Sequence, residues 1–436
     1  MNNATTTAAV AIFVATYAVL AIGKVPIYRM DRAGAALLGA SLMVAAGVLT
    51  PEEAYAAFNF DTIILLLGMM IVVANLRVSG FFRLVNYWVV GHVRRPLGLL
   101  AAIVFVCGGL SAVLVNDTVC LVMAPLVLEV VLRLKRDPIP YLLAIAMASN
   151  IGSMATITGN PQNMIVGTLS HIPFGSFAAT LSPIAAIGLV LALGFLALVY
   201  RGEFFTAEQF NGETKLPRYH GPLVVKTVLV VAAMIALFFL GQPVAKVAII
   251  GGAFLLFTRR VNPGKIYREV DWPLLVMFAS LFVVIAGFEK AVFTPQTAAS
   301  IGRLHLDSTL ALTGVTAILS NLVSNVPAVL VLKPFVPNLA DPQRAWFVIA
   351  MASTLAGNFT VVGSVANLIV ASRAANRGIA LSFWTYFKVG APLTLVTLAL
   401  GVLWLCRKLA STSQCPSLAH LGLSRTNPTI NKEAAN

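Results

Sequence analysis

Asn116-Asp117-Thr118 sets a carboxylate between an amide and a hydroxyl, with apolar residues on both sides. A carboxylate in sequence this apolar is costly and is kept mainly where it faces a cavity or a partner. Asp117 can take up and release a proton, because burial raises a carboxyl pKa and a nearby cation lowers it. Its blander role would be to cap a helix by accepting backbone N–H bonds. A second polar stretch runs from Met147 to Asn163 through Asn150, Ser153, Thr156 and Asn160, with Gly152, Gly159 and Pro161 among them. Backbone at membrane depth must be buried in protein or line a polar cavity. A helix broken here would aim free N–H groups at polar or anionic oxygens and free carbonyls at cations, as transporter sites do. Hydroxyls in membrane helices usually bond back to the preceding turn. The asparagines therefore carry more of the expectation than the threonines.

Both stretches recur, in the same order, about 205–210 residues later. Ser111 to Val127 aligns with Ser320 to Val336, which superimposes Asn116 on Asn325 and Pro125 on Pro334. Met147 to Asn163 aligns with Met351 to Asn367, bringing Gly159 onto Gly363 and Asn163 onto Asn367. Phe60-Asp61 ahead of one apolar run echoes Val270-Asp271 ahead of another. Three blocks in one order define a duplicated half. The halves differ at one point, since Val326 stands where Asp117 does. The candidate substrate and ion site is Asn116, Asp117, Thr118, Asn150, Thr156, Asn160 and Asn163, with Ser324, Asn325, Asn358, Thr360 and Asn367 from the second half. Asp117 is the candidate coupling residue. Asp61 and Asp271 read as interface or capping residues, and Glu129 as a helical-turn partner of Arg133.

Hydrophobic residues make up 59% of the chain and charged residues 11%, which excludes a soluble globule. Apolar runs of about 17–25 residues are long enough to span a bilayer. The first, Ala8 to Gly23, lacks the basic flank and cleavage site of a signal peptide and reads as a retained helix. The expected fold is an all-α polytopic membrane protein made of two inverted repeats, residues 1–201 and 222–408. A polar cytoplasmic linker, 202–221, joins them, and a tail, 409–436, is expected to be disordered. Each repeat holds a re-entrant helical hairpin (97–135 and 308–337) and a broken transmembrane helix (140–169 and 344–373). A hairpin enters and leaves on one face, so each half crosses an odd number of times and the second is inverted. With the N-terminus outside, about two thirds of the 30 Lys and Arg fall in the cytoplasm, as the positive-inside rule demands. Arg407 and Lys408 fall outside, against the trend. The net charge of +14 is thus a topology signal and gives no reason to invoke nucleic acid. Residues 80–95 read as an interfacial amphipathic helix. Cys107, Cys120, Cys406 and Cys415 show no paired spacing and read as free thiols. No metal-ligand spacing, nucleotide-binding glycine loop or nucleophile triad is present. The reading is a non-enzyme without cofactor or metal, driven by a gradient of H+ or Na+, with the lipid bilayer and a small inorganic solute as its partners.

The Asn116 to Thr118 tip and the run Ser149 to Asn163, above all Gly159-Asn160-Pro161-Gln162-Asn163, resemble the ion transporter superfamily with its citrate transporter-like domain. The likeness is nearest to its arsenite permease and plant silicon efflux branch and spans residues 30–406. It implies an elevator-like, two-repeat transporter in the cell membrane, with paired hairpins at its centre, and a homodimer. The dicarboxylate branch resembles Ser-Asn-Thr at both tips, whereas these tips read Asn-Asp-Thr and Ser-Asn-Val. A dianion would also repel an ionised Asp117. The expectation is secondary active transport of a small inorganic oxyacid or oxyanion, arsenite- or silicate-like, by proton-coupled efflux. Sodium/proton antiport and sodium-coupled dicarboxylate or anion symport are the alternatives.

Overall fold

Apolar runs bounded by Gly, Pro and capping residues fold as expected into helices, and helices are the regular elements among the described residues of this computed structural model: 3–22, 30–206, 209, 216–258, 261–292 and 305–409. The tail beyond Leu409 and the middle of the linker lie outside them. Seven described helices are long and apolar enough to cross a membrane. Local signals set their ends. Asn59 caps the helix Phe60–Ser79 by accepting from the Thr62 N–H (2.8 Å). Gly80 ends it at φ +84°, a left-handed cap that glycine adopts without strain. The amphipathic helix Phe81–His92 follows at once.

Contacts sort the helices into two groups. The first is a frame of Asn3–Ile22, Arg32–Ala45, Phe60–Ser79, Gly221–Phe239, Val244–Leu256 and Trp272–Val292. Within it Phe60–Ser79 and Val244–Leu256 cross at backbone distance, since a Cβ on Gly68 would run into the Ala248 backbone. The second group holds the hairpins and broken helices with Phe174–Val199 and Phe383–Leu409. Two ion pairs show the inversion of the repeats. Arg77, at the end of Phe60–Ser79, pairs with Glu269, just before Trp272–Val292. Lys290, at the end of that second helix, pairs with Glu53 (2.6 Å), just before the first. Equivalent helices of the two halves therefore run antiparallel, with Asp61 and Asp271 at opposite ends.

The first hairpin joins Pro96–Val113 to Asn116–Arg133. The second joins Thr309–Val323 to Asn325–Leu332, whose return arm continues only as a 3-10 turn, Lys333–Asn338. Both arms contain the repeat-equivalent prolines Pro125 and Pro334, but the second adds Pro337, and each proline removes a helical N–H donor. Glu129 pairs with Arg133 (2.9 Å) on an exposed face, as its spacing predicts.

Candidate functional site

The two broken helices stop at Ser153 and Ala356 and restart at Pro161 and Val365. Asn160 caps one restart by accepting from the Asn163 N–H (2.8 Å), and Ser364 caps the other through the Ala366 N–H (3.3 Å). Pro161 occupies the first helical position, where its missing donor costs nothing. Each gap is then stapled by an asparagine. Asn163 Nδ2 donates to the carbonyls of Ser153 (3.2 Å), Met154 (3.3 Å) and Thr156 (2.9 Å). Asn367 Nδ2 donates to those of Gly357 (2.7 Å) and Thr360 (3.1 Å). Gly357 and Thr360 are the repeat equivalents of Ser153 and Thr156, so one device is used twice. These carbonyls, freed by the break, are already bonded to amides.

The hairpin tips dock onto the gaps. The Asn116 N–H donates to the Gly159 carbonyl (3.0 Å). Asn325 reaches the equivalent Gly363 carbonyl with its side-chain Nδ2 (3.1 Å). Ser111 bonds to Ser149 (2.8 Å), and Ser320 donates to the Ser353 carbonyl (3.0 Å). Asn150, 1% exposed, joins the halves. Its Nδ2 donates to Asn358 Oδ1 (2.8 Å) and Asn367 Oδ1 (3.0 Å). Its Oδ1 accepts from Asn116 Nδ2 (3.1 Å) and the Ser364 hydroxyl (3.1 Å). Asn160 donates to the Ser153 hydroxyl (2.8 Å), and both Asn160 and Gln162 donate to Thr354, at 3.3 and 3.2 Å.

In front of this network lies a cavity of about 590 Å³. Asn116, Asp117, Gln162, Asn321, Ser324, Asn325 and Ser364 supply its polar wall, and Met277, Phe278, Val323 and Val326 part of its apolar wall. Ile22, Asp31, Arg32 and Asp271 stand at its mouth, on one face of the frame. Of the residues predicted from sequence, Asn116, Asp117, Ser324 and Asn325 thus line the cavity. Asn150, Asn160, Asn163, Asn358 and Asn367 form the buried layer behind it. Thr156 donates to the Ala112 carbonyl and Thr360 to Asn321 Oδ1 (3.4 Å), while Thr118 is half-buried in the return arm's first turn. Asp117 is not a cap: the helix starts at Asn116 with Val115 in the cap position and no side-chain cap bond. Asp271 does cap, accepting from the Leu274 N–H (3.1 Å). Gln162, Asn321, Ser364 and Asp271 are cavity residues that sequence reasoning left out of the site. Ser364 was discoverable, because the repeat places it on Asn160. Among the described residues, Oδ1 of Asn116 and of Asn163 are buried without a hydrogen-bond partner.

Paired hairpins closing on two broken helices beside a cavity with an amide- and hydroxyl-lined wall define a membrane transporter of small solutes. The chain belongs to the citrate transporter family, whose profile matches residues 17–356. It is similar to the 46 kDa membrane protein of Mycobacterium leprae, 29% identical across 91% of this chain and 97% of that protein. The silicon efflux transporter LSI3 of Oryza sativa subsp. japonica is 28% identical, over 87% of this chain and 93% of its own. The putative transporter arsB of Dictyostelium discoideum is 24% identical, over 86% of this chain and 87% of its own. Among solved structures, the Alcanivorax borkumensis YdaH transporter shares the fold with a TM-score of 0.57 at 16% identity, over 94% of this chain and 98% of that one.

Proposed function

We propose that the protein is a secondary active transporter that expels a small inorganic oxyacid or oxyanion, of arsenite or silicate type, in exchange for protons. The observation that carries this reading is Asp117, a carboxylate at one hairpin tip, in a cavity where the other tip offers only Ser324, Asn325 and Val326. A proton on Asp117 changes the charge of the solute's own compartment, so solute and proton occupancy are linked. Two unit charges 4 Å apart interact by about 4 kcal/mol even at an effective dielectric of 20. A dianion beside ionised Asp117 meets that repulsion twice. A neutral hydroxylated acid meets none of it, and its O–H groups suit the amides and hydroxyls of the wall. The rice relative's name, silicon efflux transporter, supports the same solute class. With the N-terminus outside, the mouth at Arg32 and Asp271 is cytoplasmic, as loading for efflux requires.

The unpartnered side-chain oxygen of Asn116, Oδ1, favours a second reading, in which a sodium ion is the coupling ion. Flux into proteoliposomes tests both. Arsenite or silicate should be driven by an imposed pH gradient and citrate should not, and replacing Na+ by choline should change nothing. In Asp117→Asn the carboxamide keeps the size but loses the exchangeable proton. Solute accumulation driven by pH should vanish while exchange at equal pH persists. Intact pH-driven accumulation in that variant would end the proton reading, and loss of flux in choline would favour sodium.

A further inference from the structure

We propose that Asp271 is a second proton-binding carboxylate of the transport path, standing between Asp117 and the aqueous phase in the vestibule that this conformation leaves open. The inference rests on the proton-coupled reading above and adds a residue that the reading does not use. Asp271 and Asp117 line the same cavity, one at the start of a frame helix and one at a hairpin tip. Capping engages only one oxygen of Asp271, Oδ1, which accepts from Leu274. Asn116, the chain neighbour of Asp117, also lines the cavity. A cavity of about 590 Å³ has room for the water through which a proton passes from one carboxylate to the other.

The duplication supports the assignment independently. Asp61, the repeat equivalent of Asp271, lines a separate cavity of about 340 Å³ with Ile157, Thr168 and His171. Because the repeats are inverted, that cavity lies at the opposite end of the frame. Asn59 already caps the helix there, so Asp61 is not needed as a cap. Each of these two cavities thus has one of the repeat-equivalent aspartates in its wall, and Asp117 lines the one at Asp271.

The step balances without redox chemistry. The Asp117 carboxyl gives its proton through water to the Asp271 carboxylate; Asp117 becomes the anion and Asp271 the acid, which releases the proton to bulk water. Among the described residues, three other charged groups line its cavity. Asp31 and Arg32 face it from the neighbouring frame helix, and Asp117 from the hairpin. Glu269 is paired with Arg77. Glu53 with Lys290, and Glu289 with Lys333, are paired at the far end of the Asp271 helix.

The test uses the full chain in proteoliposomes containing a pH dye, with arsenite or silicate as solute. Solute flux and proton movement are followed while pH on the Arg32 side is varied. In Asp271→Asn, proton-driven flux should fall about a hundredfold or more, the range of a lost proton-transfer group, and its dependence on pH at the mouth should flatten. Asn is as good a cap as Asp, so a purely capping role predicts a wild-type rate and pH profile in Asp271→Asn and a defect only in Asp271→Ala. That pattern would overturn the proposal. If the wild type is proton-coupled and Asp117→Asn is uncoupled, an unchanged Asp271→Asn refutes Asp271 alone. A wild type indifferent to pH would overturn the coupling reading and this inference together.

Discussion

Ser324 passes the tip of the second hairpin at φ +77° and ψ 160°, a region of backbone space that glycine alone adopts without strain. Such a residue costs about 1–3 kcal/mol and persists only where its surroundings over-determine it. Here those surroundings are the cavity, which Ser324 lines, and Asn325, bound to the break. Ser324→Gly should relieve the strain and raise the melting temperature in detergent by a few degrees, for about 1 kcal/mol. It should also slow transport several-fold, because a wall hydroxyl and a rigid tip are lost together. A lower melting temperature would show that the strain argument is wrong. At this scale the sequence told which residue types gather but not which way each amide faces. Asn163 and Asn367 have donors and acceptors at hand, and stapling a gap and binding a solute ask for the same chemistry. The layering of Asn150 behind Asn116 follows from backbone placement, which residue type does not encode. Asp271 was readable as an interface or capping residue and not as part of the cavity, because its neighbour there comes from a hairpin distant in sequence.

The broken helix and the first hairpin meet where Gly152 lies against Gly108, so closely that a Cβ on Gly152 would overlap the Gly108 carbonyl. Backbone, not a flexible side chain, is in the way. Gly152→Ala should therefore cost about 1–3 kcal/mol through overpacking, read as a drop in melting temperature and in flux. Gly109, in the same hairpin arm, has open space around it. Gly109→Ala should be neutral or stabilising by up to about 1 kcal/mol, the helix-propensity gain. Equal destabilisation by both would count against the close approach. Elements such as these were legible because Gly, Asn and Pro interrupt otherwise apolar runs, and few other folds tolerate such interruptions in lipid. The 3-10 turn Lys333–Asn338 was not foreseen. Pro125 leaves its helix continuous, so the equivalent Pro334 gave no warning until Pro337 was weighed with it.

Inversion of the halves could be read from hairpins and charge, but the division into a frame and a group of hairpins and broken helices could not. An apolar helix face facing lipid and one facing protein have the same composition, since lipid tails are as apolar as leucine. The structure supplies the division and the few polar contacts across it. Thr62, on frame helix Phe60–Ser79, shares a hydrogen bond with Thr168 on the half-helix Pro161–Ser170 (2.6 Å). Tyr17, on the N-terminal frame helix, donates to the Pro327 carbonyl of the second hairpin (3.3 Å). Lys333, leaving that hairpin, faces frame residue Glu289 (3.7 Å). If the hairpins and broken helices carry the solute by sliding past the frame, these contacts must break in every cycle. Thr62→Cys combined with Thr168→Cys places two thiols where the hydroxyls meet, within reach of a disulfide. Oxidation should then stop solute flux, and reduction should restore it, while either single variant stays active. The crosslink is checked by a mobility shift that reductant reverses. Full flux through a quantitatively crosslinked protein would mean that the two groups do not move past each other, and access to the cavity would have to alternate by local motion of the hairpin tips.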